Sequence, residues 1–335
     1  EGGLAGTMDV VSQADKTASE LRTAAANPDG IATRYALRAL NPFALLGADY
    51  GRFNANGELD LYSTETGAGA LSREWIADRA ALLSWKSQWN LANGRPAAAT
   101  QVKAPWVFID QTENTRYELS PNGSSFARFN QVVFGSDAGN GIAGDLLADR
   151  LYGMDGDDSL SGAAGPDYLE GNAGADSLDG GNGNDTLLGG VNDDILVGGR
   201  GADWLVGGKD FDRYRFSAGD GLDVIDDFDG SGLINIDGTV LAGGKPAGPN
   251  LWESPDKSVR YALVDQGDGT KTLNILYGGD RIQVLRFTDG MLGIHLRGAD
   301  PVPPPPPRDR LVLGDFLPQT PPALADAQRA LGGEL

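Results

Sequence analysis

The sequence predicts a mainly β protein built on a right-handed parallel β-roll. An N-terminal segment, first helical and then short-stranded (α+β), precedes the roll, and a C-terminal antiparallel β capping domain follows it. Three observations carry that prediction. A nine-residue repeat runs unbroken over residues 135–216, with Gly first, Asp sixth in all but the opening row, and an aliphatic residue eighth in all but the last. Ala-rich segments and apolar residues at helical spacing mark the stretch before residue 92. Alternating apolar runs separated by Gly-rich turns fill residues 217–299.

The first repeat position is held by Gly135, Gly144, Gly153, Gly162, Gly171, Gly180, Gly189, Gly198 and Gly207. Five residues on stand Asn140, Asp149, Asp158, Asp167, Asp176, Asp185, Asp194, Asp203 and Asp212. Seven on stand Ile142, Leu151, Leu160, Leu169, Leu178, Leu187, Leu196, Leu205 and Tyr214. A Gly-rich half such as Gly180-Gly181-Asn182-Gly183-Asn184-Asp185 tolerates the positive φ and close backbone approach of a tight turn. The other three residues, such as Thr186-Leu187-Leu188, form a short strand with one inward Leu. Two rows then make one coil, and stacked coils place neighbouring strands about 4.8 Å apart. The Asp of one row therefore lies over the Asp two rows later. A flexible Gly-rich linker needs neither residue at fixed spacing.

Carboxylates stacked that closely repel by about 3 kcal/mol per pair at an effective dielectric of about 20. One inward Leu per row offers little burial to offset this, so the stack should not fold alone. A hard divalent cation between turns repairs it. Ca2+ takes roughly six to eight oxygens in flexible geometry, and each turn offers a carboxylate and outward carbonyls. Rows such as Gly180-Gly181-Asn182-Gly183-Asn184-Asp185-Thr186-Leu187-Leu188 are similar to the GGxGxDxUx calcium-binding nonapeptide of RTX proteins.

The resemblance implies a metal-binding set of Gly153, Asp155, Asp158, Gly162, Gly165, Asp167, Gly171, Gly174, Asp176, Gly180, Gly181, Gly183, Asp185, Gly189, Gly190, Asp194, Gly198, Gly199, Gly201, Asp203, Gly207 and Asp212. The first two rows carry Ser136 and Asp145 second and Ala138 and Leu147 fourth, so they read as a lead-in; Asn192 and Asp210 replace the fourth Gly later. On one edge turn 153–158 pairs with 171–176, then 189–194, then 207–212. On the other, 162–167 pairs with 180–185, then 198–203. That predicts about five calcium ions, each held by both turns of a pair.

The chain of 335 residues should hold two or three domains. The expected divisions are 1–133, the roll at 134–216, the cap at 217–299, and a Pro-rich linker with a weakly ordered tail at 300–335. The net charge is −20, from 47 acidic and 27 basic residues. Residues 135–216 carry 16 acidic and 5 basic residues, a net −11. That concentration points to cations as ligands and away from nucleic acid, which needs a basic footprint. There are no cysteines, which suits secretion only where something other than disulfides locks the fold. No apolar run of about twenty residues would span a membrane, and no signal peptide opens the chain. The start at Glu1 suggests a fragment or a processed product.

In chain order, residues 9–26 and 30–40 read as helices separated by the Asn27-Pro28-Asp29-Gly30 turn, with Asn41-Pro42 ending the second. Residues 47–69 read as loop. Asn54-Ala55-Asn56-Gly57-Glu58 superficially resembles an EF-hand, but Arg52 stands where its first Asp is needed. Residues 72–91 form the strongest helix, with Trp75, Ile76, Leu82, Leu83 and Trp89 on one core-facing side and Arg73, Asp78 and Lys86 elsewhere. Short strands follow at 105–110, 115–119 and 126–134. The runs 34–43 and 56–62 resemble the segment that precedes the repeats in large bacterial RTX proteins, some of which carry a lipase-like domain upstream.

After the roll, Tyr214, Phe216 and the 219–227 stretch offer larger side chains to close its end, as solenoids require. Residues 229–236 and the strands after them resemble the haemolysin-type calcium-binding-related domain. Residues 259–265 and 271–277 flank Gln266-Gly267-Asp268-Gly269-Thr270 as a hairpin. Strands are expected at 281–287 and 291–296, then a polyproline linker at 301–307 and a short helix at 323–331.

Hydrolytic machinery is missing: there is no GxSxG elbow, no HExxH, no Cys, and His295 is the single histidine. The chain itself is therefore expected to catalyse nothing. Asp300-Pro301 is the one Asp-Pro bond, and it reads as a loop dipeptide rather than a self-processing site. The family resemblance implies a calcium-binding module secreted by a Gram-negative cell through the type I apparatus, extracellular or at the cell surface. It folds on arrival and stabilises an attached upstream domain. The alternatives are the C-terminal part of an RTX lipase or phospholipase, or a calcium-stiffened adhesin segment.

Overall fold

A computed structural model describes residues 9–296 apart from 47, 56, 58, 64, 65, 67, 68, 92–105, 113 and 120–128. The expected linker at 301–307, the helix at 323–331, Asp300-Pro301 and the beginnings of the strands at 105–110 and 126–134 lie outside the described residues. The chain divides into two compact units, one within residues 1–109 and 116–132 and the other within 110–115 and 133–333.

In the first unit, Asp9–Ser12 is a strand rather than the start of a helix, and it pairs antiparallel with Phe43–Leu46. The helix begins at Ala18 because Thr17 caps it. The Glu20 N–H donates to Thr17 Oγ1 at 3.3 Å and the Thr17 N–H to Glu20 Oε2 at 2.8 Å, a reciprocal capping box. The guanidinium of Arg34, on the second helix Ile31–Arg38, donates to the Ala25 and Asn27 carbonyls at 2.9 Å, closing the end of the first. The third helix, Arg73–Leu91, buries Trp75, Ile76, Leu82 and Leu83 as its periodicity requires. It also buries Asp78 and Arg79, so more than one side of it is covered. The Trp89 side chain lies outside the described residues.

The second unit holds the roll and the C-terminal strands. One sheet stacks Gly141–Ala143, Ser159–Ser161, Ser177–Asn182, Ile195–Arg200, Asp212–Phe216 and Gly232–Ile236, all parallel. The other stacks Arg150–Asp155, Tyr168–Ala173, Thr186–Val191, Trp204–Lys209 and Leu222–Ile225. Register is carried by two apolar columns. Leu151, Leu169, Leu187, Leu205 and Ile225 align in one, and Ile142, Leu160, Leu178, Leu196, Tyr214 and Ile234 in the other. All eleven side chains are at most 4% exposed. Most strands run six residues, twice the expected three, because pairing continues through the first positions of the next row.

Parallel pairing also continues past the expected boundary at 216, through Leu222–Ile225 and Gly232–Ile236. Here the register lengthens: Leu205 pairs with Ile225 and Tyr214 with Ile234, two residues beyond the repeat. The hairpin Val259–Asp265 with Lys271–Tyr277 forms as its turn residues predict. Asp280–Val284 is antiparallel to the hairpin's second strand and parallel to Leu222–Ile225, so it joins both kinds of sheet. Two expected strands are shorter. Arg286 takes φ 50°, ending the first after Val284, and Gly290, Leu292 and Gly293 take φ 97°, 52° and 71°, so that Met291–Gly293 is a 3-10 turn and only His295–Leu296 of the second remains a strand.

Candidate metal centre

The turns of the roll place their sixth-position Asp side chains inward. Asp158, Asp167, Asp176, Asp185, Asp194, Asp203 and Asp212 are at most 3% exposed. On one edge the Asn140 N–H donates to Asp158 Oδ1, Asp158 N–H to Asp176, Asp176 N–H to Asp194, and Asp194 N–H to Asp212. On the other, Asp149 N–H donates to Asp167, Asp167 N–H to Asp185, Asp185 N–H to Asp203, and Asp203 N–H to Asp223. Most of these bonds are 2.8 Å long. The expected stacking of each Asp over the Asp two rows later is therefore a hydrogen-bonded ladder as well as a charge column.

One carboxylate oxygen is used in each rung; the other is not. The Oδ2 atoms of Asp158, Asp167, Asp176, Asp185, Asp194, Asp203, Asp212 and Asp223 are buried without a hydrogen-bond partner, eight in all. Burial without compensation holds the carboxylic acid in its neutral form. Burial first, and the neighbouring acids after it, push Asp158 to about 6, Asp176, Asp185 and Asp223 to about 7, Asp167, Asp203 and Asp212 to about 8, and Asp194 to about 9. In each case the N–H on Oδ1 opposes the rise. A column of ionised, half-satisfied acids needs a cation.

The first-position glycines form the cradle. A Cβ on Gly180 would lie 2.5 Å from Asp185 Oδ2 and 2.6 Å from the Gly198 carbonyl of the next coil; on Gly162 it would meet Asp167 Oδ2 at 2.5 Å and the Gly180 carbonyl at 2.7 Å. The same pair of oxygens, an Oδ2 and the next coil's Gly carbonyl, crowds Gly153, Gly171 and Gly189. These glycines make room for a carboxylate and a carbonyl rather than supply unusual φ. Left-handed φ falls instead at the second and fourth positions: Gly181, Gly190 and Gly199, and Gly156, Gly165, Gly174, Gly183 and Gly201. Met154, Ala163, Asn172, Asn192 and Asp210 adopt it at matching places, which costs more for side chains other than Asn and Asp.

The lead-in rows differ. The Ser136 N–H donates to Asn140 Oδ1 and the Asp145 N–H to Asp149 Oδ2, at 2.6 and 2.7 Å. Their turns are closed by their own backbone, with no orphaned oxygen of this kind. Asp155 is half-buried at its turn and adds its charge to Asp158 rather than joining the ladder. At the far end the Tyr214 hydroxyl accepts from the Gly207 N–H at 2.8 Å and donates to Asp227 Oδ2 at 2.9 Å. Asp223 joins the ladder but is absent from the set expected from sequence, because the two-residue stretch hides it from a strict count of nine; the aligned Ile225 two residues on is the signal that recovers it.

Among the described residues no three acidic or histidine side chains gather as a metal-binding group. A cation in these turns therefore takes many of its oxygens from backbone carbonyls, as a hard ion of flexible coordination does. The orphaned Oδ2 atoms and glycine cradles fit Ca2+, and the fold and turns together define a parallel β-solenoid built to hold it. Residues 143–223 match the family model for the RTX calcium-binding nonapeptide repeat in five overlapping windows, 143–178, 152–187, 161–196, 179–214 and 188–223. The chain thus carries an array of RTX calcium-binding repeats. No curated protein matches it. Among the described residues no helix is long and apolar enough to cross a membrane.

Proposed function

We propose that this chain is the calcium-folded module of a secreted bacterial protein. It stays unfolded where calcium is scarce and folds on extracellular Ca2+, aiding type I secretion and stabilising an attached upstream domain. The observation that carries this reading is the set of eight buried, unpartnered carboxylate oxygens in the turns. Without metal they oppose folding, and with it they are satisfied, so binding free energy becomes folding free energy.

Six first-position glycines, Gly144, Gly153, Gly162, Gly171, Gly180 and Gly189, have both an Oδ2 and the next coil's carbonyl beside them. At Gly144 the Asp145 N–H already occupies Asp149 Oδ2, and the other five, whose Oδ2 is unpartnered, favour five ions in the repeats. Asp158, Asp167, Asp176, Asp185 and Asp194 supply the carboxylates, and Gly171, Gly180, Gly189, Gly198 and Gly207 the carbonyls. Calcium titration followed by far-ultraviolet circular dichroism, with magnesium as control, tests the reading. A cooperative gain of β signal at sub-millimolar calcium alone is expected. A chain equally folded in chelator sinks the export-coupled account.

A further inference from the structure

Beyond the last nine-residue row, the turn after Phe216 is two residues longer than the repeat and meets acids from two further places in the chain, Asp237 and Asp280. It seats on the preceding turn of the same edge: the Gly201 N–H donates to the Asp220 carbonyl at 2.7 Å, and the Leu222 N–H to the Gly201 carbonyl at 3.1 Å. Three successive N–H groups of the turn then each meet a different carboxylate. Ser217 donates to Asp220 Oδ2 at 2.6 Å, Ala218 to Asp237 Oδ1 at 3.3 Å and Gly219 to Asp280 Oδ2 at 2.7 Å. Asp223, 1% exposed, closes the ladder through its Oδ1.

Two buried oxygens here have no partner, Asp223 Oδ2 and the hydroxyl of Tyr277, whose residue is 5% exposed. The Tyr277 hydroxyl lies where the four acids act on it: after burial, the charges of Asp223, Asp220, Asp280 and Asp237 hold it neutral beyond its ordinary range. Arg200 contributes an opposing charge at Asp220. A buried phenol and a buried carboxylate oxygen, both unsatisfied, are not how a protein leaves a plain loop.

We propose that the 217–223 turn, with Asp237, Asp280 and Tyr277, is a further divalent-cation site outside the nine-residue repeats. It takes Ca2+ and fastens the C-terminal strands to the last coil of the roll. As in the ladder, carboxylates supply part of the oxygen set and backbone carbonyls the rest. Asp280 opens the strand Asp280–Val284, which pairs with both Leu222–Ile225 and the hairpin strand Lys271–Tyr277, so an ion here bears directly on the joint between them.

The site rests on the calcium reading of the ladder, and the test separates the two. Asp237→Asn and Asp280→Asn keep an oxygen to accept the Ala218 and Gly219 N–H groups while removing charge. Calcium per chain is counted by native mass spectrometry for the wild type, for Asp237→Asn/Asp280→Asn, and for the repeat variant Asp185→Asn. The expected result is one ion fewer in the double variant, with the ions of the repeats retained. Amides 277–284 of that variant should exchange at least tenfold faster in saturating calcium than those of the wild type. An unchanged ion count in the double variant overturns the site and leaves the ladder standing. A wild type that binds no calcium overturns both. If the double variant does not fold, terbium luminescence decides: wild-type Tb3+ emission excited through tyrosine must fall in Tyr277→Phe, and unchanged emission overturns the site.

Discussion

The backbone N–H of Asp167 donates to Oδ1 of Asp185 at 2.8 Å, one full coil away in the roll. The same Asp185 hands its own N–H to Asp203. Each rung thus ties one turn to the next through a carboxylate whose second oxygen is left open, and folding and cation binding share the same group.

Asp185→Asn separates those two tasks. The amide oxygen can still accept the Asp167 N–H, while the charge is gone. The chelated variant should be at least as stable as the chelated wild type, because a buried, like-charged neighbour has been removed. Its gain in melting temperature on adding calcium should shrink, and native mass spectrometry should show fewer bound ions. Equal calcium counts in variant and wild type would contradict a ligand role for this residue.

The pH dependence of the chelated roll follows from the raised acids. Their folded pKa values, about 6 for Asp158 up to about 9 for Asp194, lie above the ordinary 3.8. Such groups contribute stability that is fully present below about 3.8 and is lost as pH rises through 6 to 9. In chelator the melting temperature should therefore fall between pH 5 and pH 9. Calcium must displace those protons, so its affinity should rise over the same window and proton release should be measurable by pH-stat. A chelated melting temperature that climbs with pH refutes the buried-acid account.

Gly180→Ala tests the cradle. The added methyl would sit 2.5 Å from Asp185 Oδ2 and 2.6 Å from the Gly198 carbonyl, so the turn must shift at a cost of about 1–3 kcal/mol. Gly141→Ala is the control, since a Cβ there meets nothing within 4 Å. Denaturant unfolding in calcium should show a clear loss for the first and almost none for the second.

Leu187 is fully buried between Leu169 and Leu205. Leu187→Ala should remove about 2–5 kcal/mol of stability through lost burial and the cavity left behind. Because each coil touches mainly its neighbours, hydrogen exchange should accelerate most in the strands Tyr168–Ala173, Thr186–Val191 and Trp204–Lys209. Uniform acceleration across the roll would argue against that local coupling.

The roll is legible in the sequence because its constraint is local and periodic. A Gly, an Asp and a Leu at fixed spacing set turn, rung and core in every coil, so the stacking and the buried columns follow from the spacing alone. The ladder of sixth-position acids is legible for the same reason, apart from Asp223, where two extra residues break the count of nine while the ladder continues. The flanks follow less closely. Residues 9–12 carry no helix-stopping signal, yet they form a strand because Phe43–Leu46 is there to pair with. Asp78 sits on a face that periodicity assigns to solvent and is fully buried.

The sequence by itself determined the coil, the direction of the leucines and the spacing of the acids, since each depends on neighbours a few residues away. Tertiary structure alone decided that the first-position glycines give room to a carboxylate and a carbonyl, and that each ladder Asp from Asp158 on spends one oxygen on the N–H of the preceding coil and leaves the other bare. It also decided that the turn after Phe216 meets Asp237 and Asp280. Those relationships join residues about eighteen to sixty positions apart, and distance along the chain carries no record of which groups will be brought face to face.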